Sequence, residues 1–228
     1  MRRTIALFSA ACLAANLAVG VVATAQSAQA ADSFVSARTL LNRLKVVAEY
    51  EKEINTELFD YGDDYDADHD GCSTRKEVLL RDAISIYLVT PSCRIEGKWK
   101  SLYNNLVSTN PHDFEINRQV SINEAWRSCA SKWTHRRGVA FNNDIDYKWS
   151  LQLASYLNGP GRGNRDPANW LPAKNHCTYV KGWVGVKARW GLSVDSAEKA
   201  VLLRELSKCK SLLVEKPGLP DLDHLINQ

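Results

Sequence analysis

The sequence predicts an α+β fold dominated by helix, on three observations. Apolar residues recur at the helical period near both ends of the chain, short strand-like runs occupy its centre, and a glycine-rich turn breaks that centre. Ahead of the fold, residues 1–30 read as a cleavable signal peptide. Arg2 and Arg3 give a positive start, Ile5 to Ala23 is apolar, and Ala28-Gln29-Ala30 offers a small-x-small cleavage site. Asn16 interrupts the apolar run, and no later segment approaches the ~20 apolar residues a membrane span needs. Cys12 lies in the leader without the Leu that precedes a lipid-anchoring cysteine, so it is expected to be discarded. Residues 31–228 are then expected to form a single domain outside the cell, with no linker or repeat dividing them.

Taken in order, Leu40, Leu41, Leu44, Val47, Ile54 and Leu58 recur near a 3.6 period in a charged background, which predicts an amphipathic helix from Ser36 to Phe59. Glu77 to Leu88 predicts a second helix. Phe114 to Ile122 and Trp149 to Ala154 predict brief strands, and Gly159-Pro160-Gly161-Arg162-Gly163 predicts a turn. Val180, Trp183, Val184 and Lys187 share a helical face within Tyr179 to Trp190, and another helix begins at Asp195 with Glu198 as its capping-box partner. Trp126, Trp133, Trp170, Trp183 and Trp190 sit in apolar contexts and are assigned to core packing.

Charge is nearly balanced after the leader, so the overall sum excludes little, but its distribution is uneven. Asp32 to Asn117 carries 10 basic and 16 acidic residues, while Arg118 to Arg189 carries 12 and 4. The middle stretch therefore has the composition of a basic face. Five cysteines follow the leader: Cys72, Cys93, Cys129, Cys177 and Cys209. In an oxidising compartment two bridges and one leftover thiol is the simplest arrangement, and the residues alone leave the pairing open.

The sharpest local motif spans residues 66–77. Asp66, Asp68, Asp70, Gly71 and Glu77 fill the pattern of an EF-hand-like calcium loop, with Cys72 placed to offer its carbonyl and Thr74 a direct or water-mediated ligand. Hard oxygen donors at this spacing suit Ca²⁺, and millimolar extracellular calcium suits a structural site.

Four stretches carry a family likeness: Asp70-Gly71-Cys72-Ser73-Thr74-Arg75-Lys76-Glu77, Glu124-Ala125-Trp126-Arg127-Ser128, Phe141-Asn142-Asn143-Asp144, and Asp166-Pro167-Ala168-Asn169-Trp170-Leu171-Pro172. Together with Cys177, Tyr179, Trp183, Lys187, Leu192, Glu198 and Cys209 they resemble the secreted bacterial HNH endonuclease family related to the C-terminal nuclease domain of GmrSD-type restriction enzymes. The resemblance implies a ββα-metal (HNH-like) core within a disulfide-bonded helical frame. It also implies bridges Cys72–Cys93 and Cys177–Cys209, which leave Cys129 free or paired between molecules.

The chain departs from that family where its chemistry would lie. Aligning on Glu124-Ala125-Trp126 puts Asn117 and Arg118 where an Asp-His pair is expected. A guanidinium has no acceptor lone pair and stays charged, so Arg118 is unable to act as a general base, and Asn117 lacks the carboxylate that favours a cation. Asn143 matches an Asn of the family, whereas Asn158 aligns only when counted from the left, with Gly159 taking the place when counted from the right. Neither His112-Asp113, His135 nor His176 is placed to replace the missing base.

The expected function is therefore that of a secreted, catalytically impaired scaffold stabilised by calcium. Arg118, Arg136, Arg137, Arg162 and Arg165 would offer a basic face to nucleic acid or another anionic partner. The alternative is an active extracellular nuclease with a rearranged site, which would need Mg²⁺ or another divalent metal; a calcium-dependent interaction module is a third reading.

Overall fold

Two short strands from opposite ends of the chain close the main unit. The computed structural model describes residues 33–66, 69–155 and 161–222, so the leader, Asp68 and Asn158 lie outside the described residues. Phe34–Gln228 form one unit; of the other, Met1–Ser33, only Ser33 is described. Strand β1 (Phe34–Ser36) pairs antiparallel with β7 (Leu213–Glu215), setting helix α1 (Ala37–Arg43) beside the C-terminal pair α5 (His176–Trp190) and α6 (Ser196–Leu206). Leu40 and Leu41 join Val180, Trp183, Val184, Trp190, Leu202 and Leu206 in the main core, where each fully buried large side chain contributes roughly 1.5–3 kcal/mol.

The long N-terminal helix expected over Ser36 to Phe59 ends at Arg43. Leu44 turns extended (φ −66°, ψ 140°), and Lys45 to Val47 instead pair with Val194, through Val194 N–H to Lys45 O (3.0 Å) and Val47 N–H to Val194 O (2.9 Å). That pairing satisfies the backbone of Lys45 to Val47 outside a helix, and only a 3₁₀ turn at Thr56–Phe59 follows.

The second expected helix is displaced. It covers Thr74–Arg81 (α2), and β2 (Ser85–Val89) begins within the range assigned to it. Ile84, Ile86 and Val89 are β-branched and lie in or beside that strand. Strands β2, β3 (Ile95–Lys100) and β4 (Val107–Ser108) form an antiparallel sheet in that order. Trp99 of β3 is buried in a second apolar cluster with Val78, Leu79, Phe114, Ile116, Leu151 and Leu153, and its indole donates to Leu79 O at 2.7 Å.

The central strands form as expected in kind. β5 (Phe114–Arg118) pairs antiparallel with β6 (Leu151–Ser155), Asn117 opposite Gln152 and Arg118 opposite Leu151. Helices α3 (Ile122–Arg127) and α4 (His135–Asn142) occupy the chain between them. The α+β class is therefore correct, and helical residues outnumber strand residues among those described. A ββα-metal core is not shown among the described residues: both nearby helices precede β6, and the next described helix starts only at His176.

Helix α5 is read correctly, extending three residues further toward its N-terminus. It ends on Gly191, whose φ of +65° lets Leu192 N–H reach back to Lys187 O (2.9 Å). Asp195 caps α6 by accepting from the N–H groups of Ala197 and Glu198, but the Glu198 side chain turns inward instead of completing a capping box. Disulfides join Cys72 to Cys93 and Cys177 to Cys209, and Cys129 is a free thiol. The bridges span 21 and 32 residues, so each contributes roughly 3 to 4 kcal/mol in the chain-entropy description. No helix among the described residues is long and apolar enough to cross a membrane.

Candidate functional site

Ile116, Asn117 and Arg118 of β5 all border an open cleft of about 550 Å³, Ile116 also packing in the second core. Asp63, Asp64, Asn117, Arg118, Ser121 and Arg162 contribute to its lining. Helix α2 is strapped to this strand pair by two arginines: Arg75 donates to Phe114 O (2.8 Å) and Arg81 to Leu151 O (2.6 Å).

Arg118 has both a structural and an open side. Its Nε donates to Asn142 O (3.1 Å) and its Nη2 to Asp63 (2.8 Å), and the side chain is 18% exposed. Its Nη1 has no hydrogen bond within the described residues. Arg162 is only 3% exposed and works as an internal brace. It donates to Gln119 O (2.7 Å), Arg118 O (2.6 Å) and Asn117 Oδ1 (2.9 Å), with its guanidinium carbon 5.7 Å from the Trp183 ring centroid. Asn117 Oδ1 also accepts from the Tyr103 hydroxyl (3.0 Å), a phenol that burial pushes up to about 12 against the opposing Arg162 charge.

Next to the cleft lies the 66–77 loop. Gly71, at φ +91°, supplies the left-handed turn that glycine tolerates. Asp66 Oδ2 accepts from Gly71 N–H (3.0 Å), and Asp70 Oδ1 accepts from Cys72 N–H (2.6 Å). Asp66 Oδ1 is buried and accepts no hydrogen bond from the described residues. Two features depart from the expected loop. Thr74 is buried, its hydroxyl donating to Tyr65 O (3.1 Å) or Asn143 Oδ1 (3.0 Å), so it faces the protein interior. The incoming helix is also missing, since only the Thr56–Phe59 turn precedes the loop, whereas Glu77 sits in α2 as the motif requires. Among the described residues the loop carboxylates Asp66, Asp70 and Glu77 are not brought within 4.8 Å of one another, and the Cys72–Cys93 bridge fastens the loop.

The remaining expected site residues are structural in position. Asn143 is buried, donating to Tyr61 O (2.8 Å) and accepting from Thr74. Asn142 likewise donates to Phe59 O (2.7 Å). Arg137 donates to Trp190 O (2.9 Å) and stacks on Trp133 and Trp190, with burial lowering its pKa. Arg165 is spent on Arg162 O and Gly161 O. Arg136 is exposed at the start of α4. The expected five-arginine face is thus reduced at the cleft to Arg118 and Arg162, of which only Arg118 keeps an open edge.

Sequence reasoning missed the buried hub behind the cleft. Lys187 Nζ donates to Glu124 and Glu198, both at 2.7 Å, to Ser193 O (2.8 Å) and to Ser128 Oγ (2.9 Å). The available signal was a lysine on the apolar face of α5. Burial alone would raise the Glu124 pKa, but Lys187 outweighs it and holds the carboxyl below its ordinary value. The missed pair Asp63-Asp64 was legible only as part of an acidic run.

No family model matches the chain, and no solved structure matches it. The chain is 32% identical over 140 residues to an uncharacterized secreted protein of Arthroderma benhamiae, an alignment covering 60% of this chain and 68% of that protein. This relative is a fungal secreted protein, and it overturns the assignment to bacterial HNH endonucleases. At Asn117 and Arg118, where the sequence already departs from that family's Asp-His pair, both side chains are tied into structural bonds. The protein is secreted, in keeping with its two disulfides and the reading of residues 1–30.

Proposed function

Because the chain belongs to the same family as the secreted Arthroderma benhamiae protein, we propose that it acts outside the cell as a binding protein. Its ligand is anionic, nucleic acid foremost, and it lies in the cleft beside Arg118, on a scaffold held by disulfides and a calcium-stabilised loop. The observation that carries this reading is the open edge of the Arg118 guanidinium in a roomy cleft of mixed polar and apolar lining. Asp63 and Asn142 hold the rest of that group in place, so little side-chain freedom is lost when an anion arrives.

Binding is favoured over hydrolysis by the cleft's residue types. No histidine lines it among the described residues, and Arg118 is unable to take a proton from water. Calcium held by Asp66, Asp68, Asp70, the Cys72 carbonyl and Glu77 would fix the segment that begins at Asp63, the residue to which Arg118 is paired. Its role is then to set the cleft's shape.

Fluorescence anisotropy with labelled single- and double-stranded DNA and RNA tests this. Binding that weakens with rising salt is expected. Arg118→Ala should lower affinity about 10- to 100-fold, since a hydrogen bond to a charged group contributes about 1.5–3 kcal/mol. Equal affinity in that variant, or no binding at low salt, overturns the proposal. So does chelator-sensitive cleavage, which would establish a metal-dependent nuclease.

A further inference from the structure

The segment that leads into the cleft carries an exposed aromatic ring on a strained backbone. Tyr61 is 56% exposed and immediately precedes Gly62, Asp63 and Asp64 of the cleft lining. Its φ of +59° lies in the left-handed region, which a bulky side chain rarely adopts. Two buried asparagines hold it there. The Asn142 amide donates to Phe59 O (2.7 Å) and Tyr61 O (3.0 Å), and the Asn143 amide donates to Tyr61 O as well (2.8 Å).

Core packing does not account for the ring, which belongs to neither apolar cluster. Its neighbours are themselves aromatic. Tyr65 N–H donates to Gly62 O (3.0 Å), and the turn this closes lays Tyr65 against Tyr61, with ring centroids 4.9 Å apart and planes 30° from parallel. His135 meets Tyr61 edge-on, at 6.4 Å between centroids. Tyr61 is thus the exposed member of a short aromatic stack, and a planar group laid on it extends that stack. Two residues further on, Asp63 holds the Arg118 guanidinium at 2.8 Å, which sets the aromatic surface beside the cation.

The charge of the cleft bears on what else must supply affinity. Arg118 offers one open cationic edge, whereas Asp63 and Asp64 bring two carboxylates to the same lining. Such a lining suits a ligand that sets one phosphate against Arg118 better than a duplex, whose affinity rests on neutralising many phosphates. A single phosphate contact needs a second source of binding. For an unpaired base, stacking on an aromatic ring is that source, and it serves every base because each has a π-face. In a duplex the bases are stacked on one another and do not reach the ring.

Resting on the reading of the cleft as an anion-binding site, we propose that Tyr61 is a stacking platform for an unpaired nucleobase and that the ligand is single-stranded nucleic acid. One phosphate lies against Arg118 and a neighbouring base on Tyr61. Tyr61 selects single strands over duplexes, whereas Arg118 responds to the phosphate of either. The left-handed backbone at Tyr61 then has a task, since strain held in place by surrounding bonds keeps the ring pre-positioned for the base.

Anisotropy with three labelled probes of equal length separates the two residues: single-stranded DNA, its duplex, and an abasic strand that keeps the phosphates without the bases. The native protein is expected to bind the single strand most tightly. Tyr61→Ala should weaken that binding roughly 5- to 100-fold, the loss of one base–aromatic stack, and leave the abasic strand unaffected. Tyr61→Phe should retain it, and Arg118→Ala should weaken the binding of both strands. If Tyr61→Ala disturbs the fold, Tyr61→Gly takes its place, because glycine accepts the φ of +59° without strain. Unchanged single-strand affinity on removal of the ring, or a duplex or abasic strand bound as tightly as the single strand, overturns the stacking platform and leaves the Arg118 site standing. Tighter binding of an acidic oligosaccharide that depends on Tyr61 overturns the choice of nucleic acid. If no probe binds, the reading of the cleft fails and the platform with it.

Discussion

Lys187 is fully buried among Glu124, Glu198, Ser128 and Ser193, and this hub gives two carboxyls opposite behaviour. Burial raises Glu198 from its ordinary 4.5 to about 7 against the opposing pull of Lys187, while Glu124 is held down. A carboxyl with a raised folded pKa takes up its proton more readily in the native state. Its contribution is complete below about 4.5 and is lost as pH rises through about 7. Glu124 contributes in the opposite sense, losing its stabilisation only as pH falls below the ordinary carboxylate range. Glu198→Gln retains the size and the hydrogen-bonding oxygen of the protonated acid. Denaturant titrations from pH 4.5 to 7 should therefore show the native protein losing stability relative to this variant, with the gap widening toward neutrality. A constant gap across that range would mean that Glu198 does not carry the titration.

At the scale of elements, helix α5 shows what close packing demands. Gly185 faces Tyr147, and a Cβ there would stand 2.2 Å from the phenolic oxygen, which itself donates to Glu215 O at 2.9 Å. Gly185→Ala must displace Tyr147 and with it the contact to β7, so a loss of about 1–3 kcal/mol is expected from urea unfolding. Unchanged stability would show that this approach is looser than the structure has it. Helix α5 was legible because its apolar face, its terminating glycine and the Asp195 cap that follows all agree. The stretch from Leu44 to Phe59 was not, because its apolar spacing imitates a helix while Val46 and Val47 are taken up by Val194. Ile84 to Val89 was misassigned for a similar reason: a short apolar run does not reveal its period until the partner strand β3 is known. At the candidate site, the arginines were legible as charge, but not their burial. Arg162 reads from sequence as a loop cation and proves to be a brace, because its three carbonyl and amide acceptors come from residues more than forty positions away.

For the molecule as a whole, calcium is the natural test of how its parts are held. The 66–77 loop runs into α2 and is fastened by the Cys72–Cys93 bridge, so an ion held there would act on one region of the fold. An ion that binds only the native state stabilises it by RT ln(1 + [L]/Kd), about 2.7 kcal/mol at a hundredfold excess over Kd. For a chain of this size each such increment raises Tm by roughly 5 to 10 °C. Thermal unfolding with saturating calcium and with chelator should therefore show an upward shift that Asp66→Asn and Glu77→Gln each reduce and their combination abolishes. If the combined variant keeps the whole shift, the loop is not where calcium acts. If the native protein shows no shift, the loop's conformation is maintained by its disulfide and by the Thr74–Asn143 contact, without help from a cation.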